Sequence, residues 1–248
     1  MKILLPPSET KRAGGSGAPL NLETLALPML TPQRAAVLDA LIALAQDPSE
    51  AQRVLKLSER QLGDIEHNRT LRTSPTMPAV DRYTGVLYDG LDAATLPAAS
   101  RRWLRQHVWV HAAPFGPVGA LDGIPAYRLA AGTSLPGVSA LRRHWSDAVT
   151  SAIAQDPPPF ILDLRSEAYV SLGAVPATVP SVYMRVVTDQ GRALNHFNKK
   201  AKGELVRALS EDRPRVRTLH GLHAWAQARG IVIRSVDDSR VVELVVAS

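Results

Sequence analysis

The stretch MKILLPPSETKRAGGSGAP, residues 1–19, is the part of the sequence that most clearly indicates the fold. Lys2–Leu5 is a short apolar run of the kind that forms a buried strand, and two prolines end it. Residues 8–19 then form a Gly- and Ser-rich loop that carries Lys11 and Arg12. Open α/β sheets bind ligands at the carboxyl ends of their inner strands, so this loop is a candidate binding loop.

Strand-like and helical patterns alternate after this loop. Apolar runs predict further strands at residues 108–110, 160–164 and 181–187. Apolar positions at helical spacing, with helix start and stop signals, predict one helix that begins at residue 31. They predict four further helices at residues 79–88, 139–153, 192–209 and 219–230. Two alternating runs, 231–236 and 241–246, flank a polar turn and predict a C-terminal β-hairpin. We therefore expect a mixed α/β (α+β) fold in one compact domain, residues 1–248, with a mixed twisted sheet covered by helices.

Composition limits the class of protein. Hydrophobic residues make up 45% and charged residues 21% of 248 residues, as in globular proteins. The net charge of +6 is compatible with binding to nucleic acid, to an anionic membrane surface or to a phosphorylated metabolite. Cysteine is absent, which excludes disulfides and thiolate chemistry. The apolar run at residues 3–5 is too short for a signal peptide or a membrane span, so we expect a cytoplasmic protein with no membrane partner.

The segment GRALNHFNKKAKGELVRAL, residues 191–209, is the clearest basic element. On a helical wheel its apolar residues share one face, and five cations lie outside that face: Arg192, Lys199, Lys200, Lys202 and Arg207. Only Glu204 offers an i,i+4 partner, to Lys200. Gly203 costs helix stability of about 1 kcal/mol, which suggests that a ligand such as phosphate approaches the backbone there. The alternative is an ordinary solvated helix face.

Single cations near predicted strand ends are the other candidate binding residues. Lys11 follows the first strand, Arg128 lies in a Gly/Pro-rich loop, and Arg165 and Ser166 follow the strand at 160–164. These side chains, with Lys199, form a phosphate site if they converge on one positively charged cleft. Each alone is more typical of a surface charge. The sequence has no metal-ligand spacing and no nucleotide-binding glycine motif, so we expect no metal and no cofactor.

Six short segments match one known family in the same order along the chain. They are LLPPSETK (4–11), YTGVLYDGLD (83–92), FGPVGALDGIPAYRL (115–129), HWSDAV (144–149), DLRSEAY (163–169) and FNKKAKGE (197–204). On these residues the chain resembles the YaaA peroxide-stress family along nearly its whole length. Lys202 stands where that family usually has Arg, which keeps the charge but loses the bidentate fork.

The resemblance implies a compact mixed α/β fold with a positively charged cleft, binding to double-stranded DNA, and a role in the hydrogen peroxide response. It also implies a helix-hairpin-helix element, for which residues 49–68, predicted as helix, turn and helix, are the candidate. The turn lacks the glycines typical of that element.

Two main functions remain open from the residues. The first is DNA binding without base-specific readout, by a protein that we expect to be a monomer. The second is an enzyme that acts on a nucleotide or a nucleic-acid base in the same cleft, using Ser8, Glu9 and Lys11 beside Arg128 and Ser166. A scaffold for a protein partner has no support in the sequence.

Overall fold

The computed structural model describes residues 1–190, 197–236 and 240–246. The strands of these residues are β1 (Lys2–Leu5), β2 (Gly17–Pro19), β3 (Pro75–Pro78), β4 (Val108–Ala112), β5 (Gly116–Gly119), β6 (Gly123–Ile124), β7 (Ile161–Asp163), β8 (Ser181–Thr188), β9 (Val232–Ser235) and β10 (Val241–Val246). Seven of them form one sheet in the order β5-β4-β1-β7-β8-β10-β9. A smaller antiparallel sheet has the order β2-β3-β6.

The centre of the large sheet is parallel. β1 pairs in parallel with β4 on one side, through Ile3 and Val108, and with β7 on the other, through Leu4 and Asp163. β8 continues the parallel run to β10, and β5 and β9 close the two edges as antiparallel strands. The carboxyl ends of five strands therefore meet along one side of the sheet, which we call the carboxyl edge. As predicted, the first strand lies inside the sheet and is buried.

Helices cover the sheet. They are α1 (Thr31–Leu44), α2 (Pro48–Leu55), α3 (Asp64–Arg69), α4 (Ala79–Arg82), α5 (Val86–Leu91), α6 (Ala98–His107), α7 (Leu141–Gln155), α8 (Glu167–Val170), α9 (Phe197–Asp212) and α10 (Leu219–Ala228). Within the described residues, no helix is both long and apolar enough to cross a membrane.

The predicted mixed fold and the C-terminal hairpin are confirmed, since β9 and β10 pair antiparallel from Val242–Ser235 onward. The segment predicted as one helix at 79–88 is instead two short helices, α4 and α5. Between them Tyr83 pairs with Lys11 as an isolated bridge, and Gly85 takes a φ of 94°, which a helix does not allow. This break turns the chain toward the loop after β1.

Residues 49–68 form two helices, α2 and α3, as predicted. Lys56 ends α2 in the left-handed conformation, with φ 53°, and a 3-10 turn at Glu59–Gln61 precedes α3. The assignment of this pair as a helix-hairpin-helix stays a prediction.

Candidate functional site

Lys11 is folded back against the loop that follows β1. Its Nζ donates to the carbonyl oxygens of Ser8, at 3.0 Å, and Glu9, at 3.1 Å. The same Nζ lies 4.1 Å from the centre of the Tyr127 ring and 5.7 Å from that of Tyr83. The amine therefore has a fixed position between two backbone carbonyls and two aromatic faces at the carboxyl edge.

Three buried tyrosines lie at this place: the rings of Tyr83 and Tyr127 face Lys11, and Tyr88 packs against Tyr83 with 5.1 Å between the ring centres. The hydroxyls of Tyr83 and Tyr127 share a hydrogen bond of 2.8 Å, and the Tyr88 hydroxyl donates to the Pro6 carbonyl at 2.8 Å. Burial raises the pKa of each of these phenols above its ordinary value. All three hydroxyls therefore stay protonated at neutral pH; Tyr88 donates to Pro6, and one hydroxyl of the Tyr83–Tyr127 pair donates to the other.

Arg128 stands beside Lys11 and is held by its backbone. The Arg128 N–H donates to Asn68 Oδ1, and Asn68 Nδ2 donates to the Arg128 carbonyl, both at 2.8 Å. Its guanidinium makes two loose ion pairs, 3.7 Å to Glu9 and 3.9 Å to Asp64, which are longer than hydrogen bonds. The Glu9 side chain is 80% exposed, so an incoming anion can replace it on Arg128 without disturbing the core.

The charge of Lys11 is finely balanced. Burial, followed by the positive charge of Arg128, lowers the pKa of Lys11 to about 7, while Asp64 and Glu9 act in the opposite direction. A substantial fraction of Lys11 is therefore unprotonated at neutral pH, unlike an exposed lysine.

Arg165 follows β7, as predicted, but its side chain is fully buried. Its Nε and Nη2 donate to the two carboxylate oxygens of Asp163, at 2.9 and 2.6 Å. Its Nη1 donates to His111 Nδ1 at 2.8 Å and to the Gly173 carbonyl at 2.9 Å. Arg165 organises the strand ends and does not reach a surface where phosphate binds, whereas its neighbour Ser166 is exposed.

The cations predicted outside the apolar face of α9 differ in exposure: some are exposed to solvent and others are in contact with the rest of the protein. Lys199 and Lys200 are exposed, and Lys200 lies 3.6 Å from Glu204, the predicted partner. Lys202 was expected outside but is only 6% exposed, because its Nζ donates to the Leu164 carbonyl at 3.1 Å. Burial lowers the pKa of Lys202 to about 8. Since Leu164 directly follows β7, this bond ties α9 to the carboxyl edge.

Arg207 also serves the fold, because its Nη1 donates to the carbonyls of Leu91 and Asp92 at the end of α5. Arg192 lies outside the described residues.

The close approach expected at Gly203 is real, but a helix makes it. A Cβ at this position would lie 2.0 Å from the Leu87 carbonyl oxygen and 2.8 Å from the Leu91 nitrogen. Gly90 faces the Lys200 carbonyl in the same way, at 2.7 Å. The two glycines let α5 and α9 cross with their backbones nearly touching, so the interpretation of Gly203 as a phosphate contact is wrong.

Six of the predicted residues thus fall into two groups. Lys11 and Arg128 both contact Glu9. Arg165 and Lys202 are buried at the end of β7, where Lys202 bonds to Leu164, and Lys199 and Lys200 are exposed on the helix that Lys202 anchors. Sequence reasoning gave no role to Asp64 and His111. The resemblance included Tyr83 and Tyr127 as motif positions, but nothing in the sequence joined their hydroxyls.

Comparison with known proteins agrees with the motifs. The family model described as peroxide stress protein YaaA matches residues 1–231. A UPF0246 protein of Corynebacterium glutamicum (strain R) is 43% identical over 238 residues, 94% of each chain. A UPF0246 protein of Streptomyces coelicolor is 43% identical over 84% of this chain and 82% of its own, and one of Polaromonas sp. is 29% identical over 83% and 85%. The chain therefore belongs to the YaaA family of peroxide stress proteins, which includes these UPF0246 proteins.

Proposed function

We propose that this protein binds the phosphates of double-stranded DNA at the carboxyl edge, without reading base sequence, as its part in the peroxide stress response. The observation that carries the proposal is the Lys202–Leu164 hydrogen bond. It fixes α9, with the exposed Lys199 and Lys200, to the edge of the sheet where Lys11 and Arg128 stand.

The cations differ in how they hold an anion. Arg128 is positioned through its backbone and only loosely paired, so its planar fork can exchange Glu9 for a phosphate. Lys199 and Lys200 are exposed point charges, which suit phosphate oxygens at variable positions. Ser166 is exposed near the end of β7 and offers a further hydroxyl donor.

Contacts of this kind position a duplex and carry no base information. Their affinity comes from the release of counterions that phosphates hold, so it depends on the number of cations on one surface. The proposed site has three such side chains among the described residues, Arg128, Lys199 and Lys200, and Lys11 adds a charge in its protonated fraction.

The test compares two double variants that remove the same charge from two different helices. Lys199→Ala/Lys200→Ala removes the proposed contacts, whereas Arg102→Ala/Arg105→Ala removes two exposed cations of α6, the helix that leads into the amino end of β4. Fluorescence anisotropy with a labelled duplex at about 0.1 M salt should show roughly 10- to 50-fold weaker binding for the first variant. The second variant should bind as the wild type does. Equal losses in both variants would show that net charge, and not this edge, holds DNA.

A second candidate function is catalysis on a nucleic-acid component at the same edge. The observation that favours it is the fixed, partly unprotonated amine of Lys11 above the linked hydroxyls of Tyr83 and Tyr127. Chromatography of a duplex incubated with the protein tests this function, since a binder returns the duplex intact and an enzyme releases a product.

A further inference from the structure

We infer that Lys11 is a nucleophile that forms an imine with an aldehyde carrying a phosphate or phosphodiester group, and that Arg128 holds that group. The phosphate end of this inference rests on the proposed function. The amine end rests on the surroundings of Lys11 alone.

The position of the amine suits a nucleophile. Nζ donates to two backbone oxygens, those of Ser8 and Glu9. A neutral amine has two N–H groups, so these two acceptors satisfy both and leave the lone pair for a substrate. A surface lysine has no such fixed direction, because its side chain samples many rotamers.

The protonation of the amine also suits this role. The Tyr127 ring face at 4.1 Å favours the ammonium form, whereas burial and the neighbouring Arg128 favour the neutral amine. Burial, followed by Arg128, lowers the pKa of Lys11 to about 7, which keeps a reactive fraction at neutral pH. The other charged groups that act on Lys11 are Asp64 and Glu9, which favour the ammonium, and Arg82, which opposes it.

The reaction balances without an oxidant or a reductant. The Nζ lone pair attacks the aldehyde carbon, a C–N bond forms, and the C=O electron pair moves to oxygen, which takes a proton. Loss of that oxygen as water, with both amine hydrogens leaving nitrogen, gives the C=N bond. The neutral acids that can supply this proton are Tyr83 and Tyr127. Their rings flank Nζ, and their hydroxyls are joined by a hydrogen bond of 2.8 Å.

Arg128 defines the ligand class. The side chains of Lys11 and Arg128 both contact Glu9, since Lys11 donates to the Glu9 carbonyl at 3.1 Å and Arg128 lies 3.7 Å from the Glu9 carboxylate. The other ion pair of Arg128, to Asp64, is also loose at 3.9 Å. A single ligand with an aldehyde and a phosphate group engages both side chains. Such ligands have two sources, a small sugar phosphate and the sugar of an abasic site in DNA.

The experiment traps the imine on the full chain with sodium cyanoborohydride at pH 7. One arm uses a duplex with a single abasic site and an undamaged duplex as its control. The other arm uses glyceraldehyde 3-phosphate, with glyceraldehyde as its control. Peptide mapping by mass spectrometry locates the adduct among the six lysines of the chain and the N-terminal amine.

We expect the adduct on Lys11, in at least tenfold excess over any other amine, in one of the two arms. The arm that gives it identifies the source of the ligand. The trapping rate should rise between pH 6 and 8 and then level off, whereas an exposed lysine continues to react faster up to about pH 10. Lys11→Arg keeps the charge but forms no imine and should lose the adduct, and the matched Lys56→Arg, at an exposed lysine that ends α2 outside the proposed site, should keep it.

Adducts spread over Lys199 and Lys200, or an unchanged yield in Lys11→Arg, would overturn the inference. The peptide map of the wild type decides the question even if Lys11→Arg fails to fold. Binding to the undamaged duplex, measured on the same preparation, separates the two proposals. Intact binding without a Lys11 adduct removes the imine alone, and a Lys11 adduct without duplex binding removes the DNA proposal alone.

Discussion

Gly203→Ala tests how closely α5 and α9 must cross to present the exposed lysines. The added Cβ would lie 2.0 Å from the Leu87 oxygen and 2.8 Å from the Leu91 nitrogen. Both are backbone atoms, so relief requires the helices to separate by more than 1 Å, roughly the gap to an ordinary contact. Overpacking of this kind costs about 3 kcal/mol, and the better helix propensity of Ala returns about 1 kcal/mol. We expect a net loss of about 2 kcal/mol.

Urea unfolding followed by tryptophan fluorescence and far-ultraviolet circular dichroism measures this loss. The matched control is Gly221→Ala in α10, where the nearest atom to an added Cβ is the Thr218 hydroxyl at 3.5 Å. That variant should be unchanged or more stable by up to about 1 kcal/mol, because only propensity acts. If Gly203→Ala were as stable as its control, the reasoning about the crossing would be refuted.

Three further changes have separate expected outcomes. Tyr127→Phe should lower the free energy of unfolding by about 1–3 kcal/mol in urea, because the buried hydroxyl of Tyr83 loses its partner; an unchanged value would contradict the pair. Arg165→Leu should lower the free energy of unfolding in urea by about 3–5 kcal/mol, because it leaves the Asp163 carboxylate buried without its ion-pair partner; a loss below about 1 kcal/mol would contradict this role. Burial and Arg165 hold the pKa of His111 well below 6.5, so only the unfolded state binds this proton as the pH falls through 6.5. Stability should therefore fall by up to about 1.4 kcal/mol per pH unit below 6.5, a slope that urea titrations of His111→Gln should lack.

Local sequence patterns predicted those elements that can be recognised from their own residues or from residues close to them along the chain. The apolar run of β1 ends at two prolines, so its type follows from its own residues. The alternating runs of β9 and β10 are separated by a few polar residues, so their type and their pairing with each other follow from residues close in sequence. The helix of α9 was also predicted, although the structure describes it only from Phe197.

Contacts between distant segments could not be predicted in this way. A helical wheel placed Lys202 outside, because it contains no information that the Leu164 carbonyl lies within reach. Gly203 was correctly identified as a place of close approach, but the wheel could not say that α5 fills it. The hydrogen bonds between Asn68 and Arg128 join residues 60 positions apart, and no local signal marks them.

Tyr83 shows how one backbone angle changes a prediction. The pattern of 79–88 fits a helix, but the left-handed Gly85 breaks it and directs Tyr83 to the Lys11 loop. The aromatic part of the candidate site therefore depends on a glycine that propensity alone treats as a weak helix residue.

The salt dependence of duplex binding tests the central claim most directly. The logarithm of the association constant should fall linearly with the logarithm of the salt concentration, by about 0.9 for each phosphate contact. Lys199→Ala/Lys200→Ala should reduce the magnitude of this slope by about 1.8, and Arg102→Ala/Arg105→Ala should leave it unchanged. A slope that is the same in wild type and in the lysine variant, or binding that does not respond to salt, would contradict the account.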